Sequence, residues 1–434
     1  MDTSSAEIRI DTGSSLGERI GNIRWTVCAL LFAATTLNYM DRMVIGLLKP
    51  TIEHSIGMSE VGYGGVVVAF QVAYGAGMLI MGRFIDRVGT RIGYMVVMGI
   101  WSLSAMGHAL ANTVIEFGVA RFCLGLGESG NFPVAIKTVA EWFPQKERSL
   151  ATGIFNSGTN LGAILAPLAV PWVALHYGWH AAFLITGIFS AAWIVVWFFS
   201  YDRPAAHKKV KAAELRYINE GQAEAPAPTA TWIQLLGYRQ TWAFVAGKFL
   251  TDPIWWFYLF WLPSYFTSKF HLTLSTLGLP LVIVYSAATV GSIFGGWLPA
   301  PFRKAGMQVP RARLAAMLVC ACAVVPIFLA AYLDHEWLSI GLLSLATAAH
   351  QGWSANLFTT VSDMFPRNEV ASVTGIGGTA GAIGGALIAS AAGLILQYMH
   401  TYAPLFLIAA SAYLVALAII VLLVPGLKKA EIPA

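Results

Sequence analysis

Charge is what this sequence has least of. Only 11% of its 434 residues are Asp, Glu, Lys or Arg, against roughly a quarter in soluble domains. A soluble chain of this length makes two or three domains, and their wet surfaces need more charge than that. Cysteine is scarce too. Cys28, Cys123, Cys320 and Cys322 all stand inside apolar stretches, and none belongs to a C-x-x-C pair. They read as small hydrophobes, without a disulfide or metal role. The first 22 residues lack the apolar core of a secretory signal, so the first apolar run is expected to be retained and the N-terminus to lie in the cytoplasm. Gly125-Leu126-Gly127 has no βαβ context and is no dinucleotide fingerprint. The polar stretches are too short for an ATPase domain, and no nucleophile–base constellation marks an enzyme. A net charge of +5, spread in short clusters, is not a nucleic-acid footprint.

What fills the sequence is apolar residues, 57% of the total. About 20 consecutive apolar residues cross a bilayer core as a helix. Spans fall near 25–45, 62–82, 93–111, 114–134, 149–171 and 180–200, then 242–267, 276–299, 313–332, 337–360, 370–396 and 402–424. Lys and Arg test the count. Of the 27, 22 lie in alternate segments, on the same side as the N-terminus. Only Lys49 and Lys269 lie in the opposite ones, and Arg42, Arg121 and Lys248 fall within spans. Missing one span would scramble that bias. Basic loops stay inside, so both termini are expected in the cytoplasm of a bacterial inner membrane.

The chain also repeats itself. Glu141-Trp-Phe-Pro-Gln-Lys-Glu147 precedes Thr152-Gly153-Ile154, and Asp363-Met-Phe-Pro-Arg-Asn-Glu369 precedes Thr374-Gly375-Ile376. Two halves in one orientation are what a parallel repeat predicts. The expected fold is all-α and integral to the membrane: twelve transmembrane helices in two six-helix, pseudo-symmetric bundles. Its expected divisions are a cytoplasmic tail (1–22), a first bundle (23–200), a cytoplasmic linker (201–240), a second bundle (241–425) and a short tail (426–434).

Ionisable residues at bilayer depth are costly unless paired or wet, which makes each a functional candidate. Asp41 and Arg42 lie in the first span, Arg121 and Glu128 in the fourth, Lys248 and Asp252 in the seventh, His350 in the tenth. Arg121 and Glu128 share a helix face but stand about 10 Å apart along it, so a third group is needed between them, and Asp41 is the candidate. Burial favours a neutral carboxyl and an arginine favours the charged one. That competition suits a proton relay, while a static ion pair pinning two helices is the alternative. Arg42 projects about 100° from Asp41. It suits a substrate carboxylate or an interfacial arginine reaching for water. Lys248 and Asp252, one turn apart, can neutralise each other; the other reading has Lys248 facing the pathway. His350, Gln351 and Ser354 give the tenth span a polar face. Asn156, Thr159 and Asn160 do so for the fifth, and Gln71 and Tyr74 for the second. Such groups bind hydroxylated solutes or glue helices together. The loop Gly82-Arg-Phe-Ile-Asp86-Arg87-Val-Gly89-Thr-Arg91 reads as a conformational latch.

That loop resembles the signature of the major facilitator superfamily, and Arg121-Phe-Cys-Leu-Gly125-Leu-Gly127-Glu128 resembles its helix-4 motif. Tyr39-Met-Asp41-Arg42 and Glu141-Trp-Phe-Pro144 resemble the anion:cation symporter branch. Phe155-Asn156-Ser-Gly158, Lys248-Phe-Leu-Thr-Asp252-Pro253, Ala349-His350-Gln351 and Phe365-Pro-Arg-Asn-Glu369-Val-Ala371 are similar to bacterial hexuronate transporters. The similarity runs from about Trp25 to Pro425. It implies proton-coupled import of a monovalent sugar acid, a hexuronate such as galacturonate or glucuronate, by alternating access. By this resemblance Asp41 and Glu128 handle the proton, Arg121 lies between them, and Arg42 binds the substrate carboxylate. Tyr39, Tyr74 and Thr159 line the site. Relatives carry Gln where Thr159 stands, and Arg and Glu where Lys248 and Asp252 stand. No cofactor is implied beyond the coupling proton. The partners implied are a small organic anion and the lipid bilayer, with the protein acting as a monomer. The rivals are transport of another organic anion (galactonate, glucarate or an aromatic acid), a phosphate-linked antiporter and a transporter-like sensor.

Overall fold

The computed structural model describes residues 21–144, 147–219, 231–366 and 369–431, apart from the side chains of Leu79, Arg83, Asp86, Ser149 and Ala371. Residues 1–20 and 432–434 of the two tails, and 220–230 of the linker, therefore lie outside the description, as does the Asp86 side chain assigned to the latch.

Sixteen α-helices follow one another, and no strand occurs among the described residues. In chain order they are α1 (Ile23–Ile56), α2 (Glu60–Val88), α3 (Thr90–Gly107), α4 (Val114–Glu128), α5 (Asn131–Trp142), α6 (Arg148–Tyr177), α7 (Trp179–Ser200), α8 (Ala212–Asn219) and α9 (Trp232–Leu235). The second half continues with α10 (Arg239–Phe270), α11 (Gly278–Trp297), α12 (Pro299–Lys304), α13 (Val309–Val324), α14 (Glu336–Met364), α15 (Val370–Met399) and α16 (Ala403–Leu423). The fourth span is α4 continued, after a break at Ser129 and Gly130, by α5. Helices α8 and α9 belong to the linker. The rest give six spans before it and six after.

Local chemistry explains the boundaries. Gly57 ends α1 in the left-handed region at φ 67°, and Ser59 then caps α2 by accepting from the Gly62 amide. Thr113 and Glu116 form a reciprocal capping box that starts α4. The repeat is copied in the backbone. Both bounds of α15 lie 222 residues beyond those of α6. The turns before them match as well, Glu147 N donating to Pro144 O and Glu369 N to Pro366 O.

Eight helices are long and apolar enough, by length and composition alone, to cross a membrane. The other four spans, α1, α4 with α5, α10 and α14, fall short because they hold the ionisable residues, a break, or many Trp, Tyr, Ser and Thr. Large side chains such as Ile115, Phe199 and Leu422, each 79% exposed, face outward. In water they would be an aggregation hazard; against lipid they form the apolar belt.

Small residues let these helices approach. A Cβ at Gly125 would lie 2.5 Å from Phe70 O, so α2 and α4 touch through their backbones. The chain ends mark one face of the bundle, here the terminal face. There Arg24 Nε donates to Glu147 (2.9 Å), Arg24 also pairs with the buried Glu214 of α8 (3.4 Å), and Tyr217 donates to Glu147 (2.7 Å). In the second half Arg313 pairs with Asp363 (2.6 Å) and Ala430 N donates to Met364 O. None of these ties joins the first bundle to the second: the first three link α1, α6 and the linker helix α8, and the others stay within the second half. Towards the opposite, far face the halves meet each other. Gly46 packs on the Leu259 and Phe260 backbone, Tyr63 Oη donates to Phe260 O (2.9 Å), Gly64 abuts Gly393, and Gly278 abuts Pro167.

Candidate functional site

The polar centre lies where α1, α2 and α4 of the first half face α10 of the second. Arg42 and Glu128 are 2% and 1% exposed. Arg42 Nε donates to one oxygen of Glu128 at 2.8 Å, and Nη2 lies 2.7 Å from the same oxygen in an ion pair. Nη2 also reaches Asn38 Oδ1 at 3.2 Å, one turn back along α1. Four rings surround the guanidinium: Tyr39 and Tyr74 at 4.8 Å, Trp256 at 5.0 Å and Phe70 at 5.3 Å. Guanidinium–ring contacts are favourable and strengthen away from water. Trp256 comes from α10, so both halves build this cage. The second oxygen of Glu128 has no partner among the described residues.

The sequence leads one to expect Asp41 between Arg121 and Glu128. The structure assigns the partners otherwise. Asp41 turns away, accepting from Trp101 Nε1 of α3 (2.6 Å) and Ser190 Oγ of α7 (2.8 Å). Arg42, its neighbour in sequence, takes Glu128. The two residues face different sides of α1, as the 100° step requires, but with the roles of pair-former exchanged. Arg121 donates through Nη2 to the Arg42 carbonyl (2.7 Å) and lies under Phe70 (4.8 Å) and Phe260 (5.4 Å). Its Nε and Nη1 have no hydrogen-bond partner among the described residues. Phe70 thus contacts both guanidiniums.

In the second half Lys248 pairs with Asp252 at 2.5 Å and sits 4.4 Å from the Phe358 ring. The i,i+4 pairing read from the sequence is therefore formed. His350 is buried, bonded through Nδ1 to Tyr413 Oη (2.6 Å) and stacked on Trp255. Gln351 is half-buried on the same helix. In the first half Asn156 is exposed on α6 and accepts through its carbonyl from the Thr159 hydroxyl (2.8 Å). Among the described hydrogen bonds and ion pairs, none joins these residues to Arg42 or Glu128. The latch residues stand at the terminal face. Gly89, at φ 82°, ends α2 and opens α3. Arg91 reaches Asp202 (3.2 Å) and Phe198 O (2.8 Å) at the end of α7, Arg87 is exposed, and no atom would crowd a Cβ at Gly82.

Sequence reasoning passed over Trp101, Ser190, Phe70, Trp256 and Phe260. Trp256 and Phe260 belong to the aromatic run Trp255-Trp-Phe-Tyr-Leu-Phe-Trp261, the signal from which ring contacts to a buried cation could be sought. Chemically, the arrangement could accept an anion were Glu128 to release Arg42, because a guanidinium offers a planar fork of donors to a carboxylate.

A profile of the Major Facilitator Superfamily matches residues 31–389. The chain belongs to the major facilitator superfamily. It is a transporter, not an enzyme. Curated relatives include the hexuronate transporter of Escherichia coli (strain K12), 30% identical over 90% of this chain and 92% of its own length. The galacturonate transporter of Dickeya chrysanthemi is 33% identical over 66% of this chain and 84% of its own. Among solved structures, the D-xylose-proton symporter superposes with a TM-score of 0.75 at 14% identity, covering 94% of this chain and 99% of that one. That likeness shows the shared major facilitator fold.

Proposed function

We propose that this transporter imports a sugar acid together with a proton, that the substrate is a hexuronate such as galacturonate or glucuronate, and that transport runs by alternating access. One observation carries the reading: Arg42 sits in a cage built by both halves, held by Glu128 alone among carboxylates. While Glu128 is charged, it occupies the guanidinium. A proton on Glu128 cancels the attraction and frees donors that a substrate carboxylate can take up in bidentate fashion. Proton and anion then favour the same state, and binding of both shifts the population between open forms. Asp41, in its separate pocket, is the second carboxylate for proton handling, with Arg121 on the same path. Tyr39, Tyr74, Asn156 and Thr159 line the route from the first half; Lys248, Asp252, His350 and Gln351 line it from the second.

The names of the relatives support the substrate class. Other matching relatives are named D-galactonate and probable galactarate/D-glucarate transporters, so those sugar acids form the second reading. We place the protein in the bacterial inner membrane, as a monomer with both termini cytoplasmic, on the charge bias of its loops. Uptake of labelled galacturonate into proteoliposomes tests the proposal. Accumulation above equilibrium with an inward proton gradient, and equilibration only without one, is expected. Gradient-independent accumulation removes the symport, and uptake of only another sugar acid selects the second reading.

A further inference from the structure

Gln71 is buried, 1% exposed, on α2, and among the described residues neither its amide oxygen nor its amide nitrogen has a hydrogen-bond partner. A primary amide left unpaired in a protein interior is costly, and native proteins seldom keep one without use. Helix-gluing requires a bond across to a neighbour, and Gln71 makes none. Its place is specific. It follows Phe70 and precedes Tyr74 by one turn, and both of those rings contact Arg42. Across the seam, a Cβ at Gly385 of α15 would lie 2.9 Å from Trp256 Cδ1 and 3.1 Å from Gln71 Nε2. The glycine thus lets the amide and the Trp256 indole occupy one spot, and Trp256 is itself a wall of the Arg42 cage. Three helices from two halves converge there. Separation of α2 from α10 and α15 would uncover the amide next to Trp256, the second-half wall of the Arg42 cage.

We infer that Gln71 recognises substrate hydroxyls, and that together with Arg42 it selects hydroxylated carboxylates over plain ones. The inference rests on the sugar-acid reading above. An amide suits a polyol: its NH2 donates to one hydroxyl oxygen while its carbonyl accepts from the next hydroxyl. A carboxylate without hydroxyls satisfies Arg42 but leaves the amide unpaired, and sites built to bond a hydroxyl reject analogues that lack it. The seam then stays dry and poorly paired unless the solute carries both groups.

Competition against labelled galacturonate in proteoliposomes tests this. The competitors are unlabelled galacturonate and cyclohexanecarboxylate, a ring acid without hydroxyls. The wild type should favour galacturonate strongly. Gln71→Leu should weaken galacturonate about tenfold or more while leaving inhibition by cyclohexanecarboxylate unchanged or stronger. Gln71→Asn, which keeps the amide, should restore part of the preference. Gln71→Met, unbranched and similar in length, serves if the leucine variant does not fold. A purely structural role would lower the maximal rate and thermal midpoint and affect both acids alike; that result, or no change at all, overturns the inference. If the wild type takes up no sugar acid, the functional reading fails and the inference with it. Uptake with unaltered selectivity in Gln71→Leu defeats the inference alone.

Discussion

Arg42 is held by one carboxylate, one amide and four rings, and lysine can replace only part of that. Its ammonium keeps the charge but loses the planar fork and the stacking. A hydrogen bond to a charged group contributes roughly 1.5–3 kcal/mol, so Arg42→Lys should weaken substrate affinity about ten- to a hundredfold, read as KM in uptake. Glu128→Gln removes the titrating group and keeps the shape. Uphill uptake should vanish while counterflow persists; a variant that still accumulates substrate would show that the proton is handled elsewhere. At this scale the deep charges were legible, because an Arg or Glu inside an apolar run announces itself. Their partners were not. Helix phase says that Asp41 and Arg42 diverge, but not which neighbour lies on which side, and only the packing of α3 and α7 against α1 assigns Asp41 to Trp101 and Ser190.

Among the elements, α4 shows how little separation the packing tolerates. With the Gly125 Cβ position 2.5 Å from Phe70 O, Gly125→Ala must push α4 off α2. Overpacking of this kind costs about 1–3 kcal/mol and should lower the thermal midpoint in detergent; an unaltered midpoint would mean that the helices part freely. Helix α8 offers a second test. Glu214 is fully buried and its partner is Arg24, so Glu214→Gln should loosen α8 and speed proteolysis of the linker. The long helices were readable from apolar length and loop charge, even where composition alone fails, as in α1, α10 and α14. The break at Ser129 and Gly130 was not, since small residues in an apolar run also suit an unbroken span.

For the whole molecule, the repeat relates the two halves and the far-face seam is where their backbones touch. Gly64 and Gly393 meet across the halves, the Cβ position of each 3.3–3.4 Å from the Cα of the other, within reach of a disulfide. The double variant Gly64→Cys, Gly393→Cys should cross-link under mild oxidant, stop uptake, and recover with reductant. Cross-linking without loss of uptake would place the moving contacts elsewhere. The cage has one more consequence. Trp256 and Phe260 belong to the second half, while Arg42 and Arg121 belong to the first. If the halves part along this seam, as the proposed alternating access requires, each cation loses its one second-half ring and keeps those of the first. On that reading, opening would strengthen the pull on anions and closing would weaken it. A chloride ion arriving where the halves touch would then meet the aromatic faces of Trp256 and Phe260 before either cation, so closing the seam would also guard the membrane against anion leak.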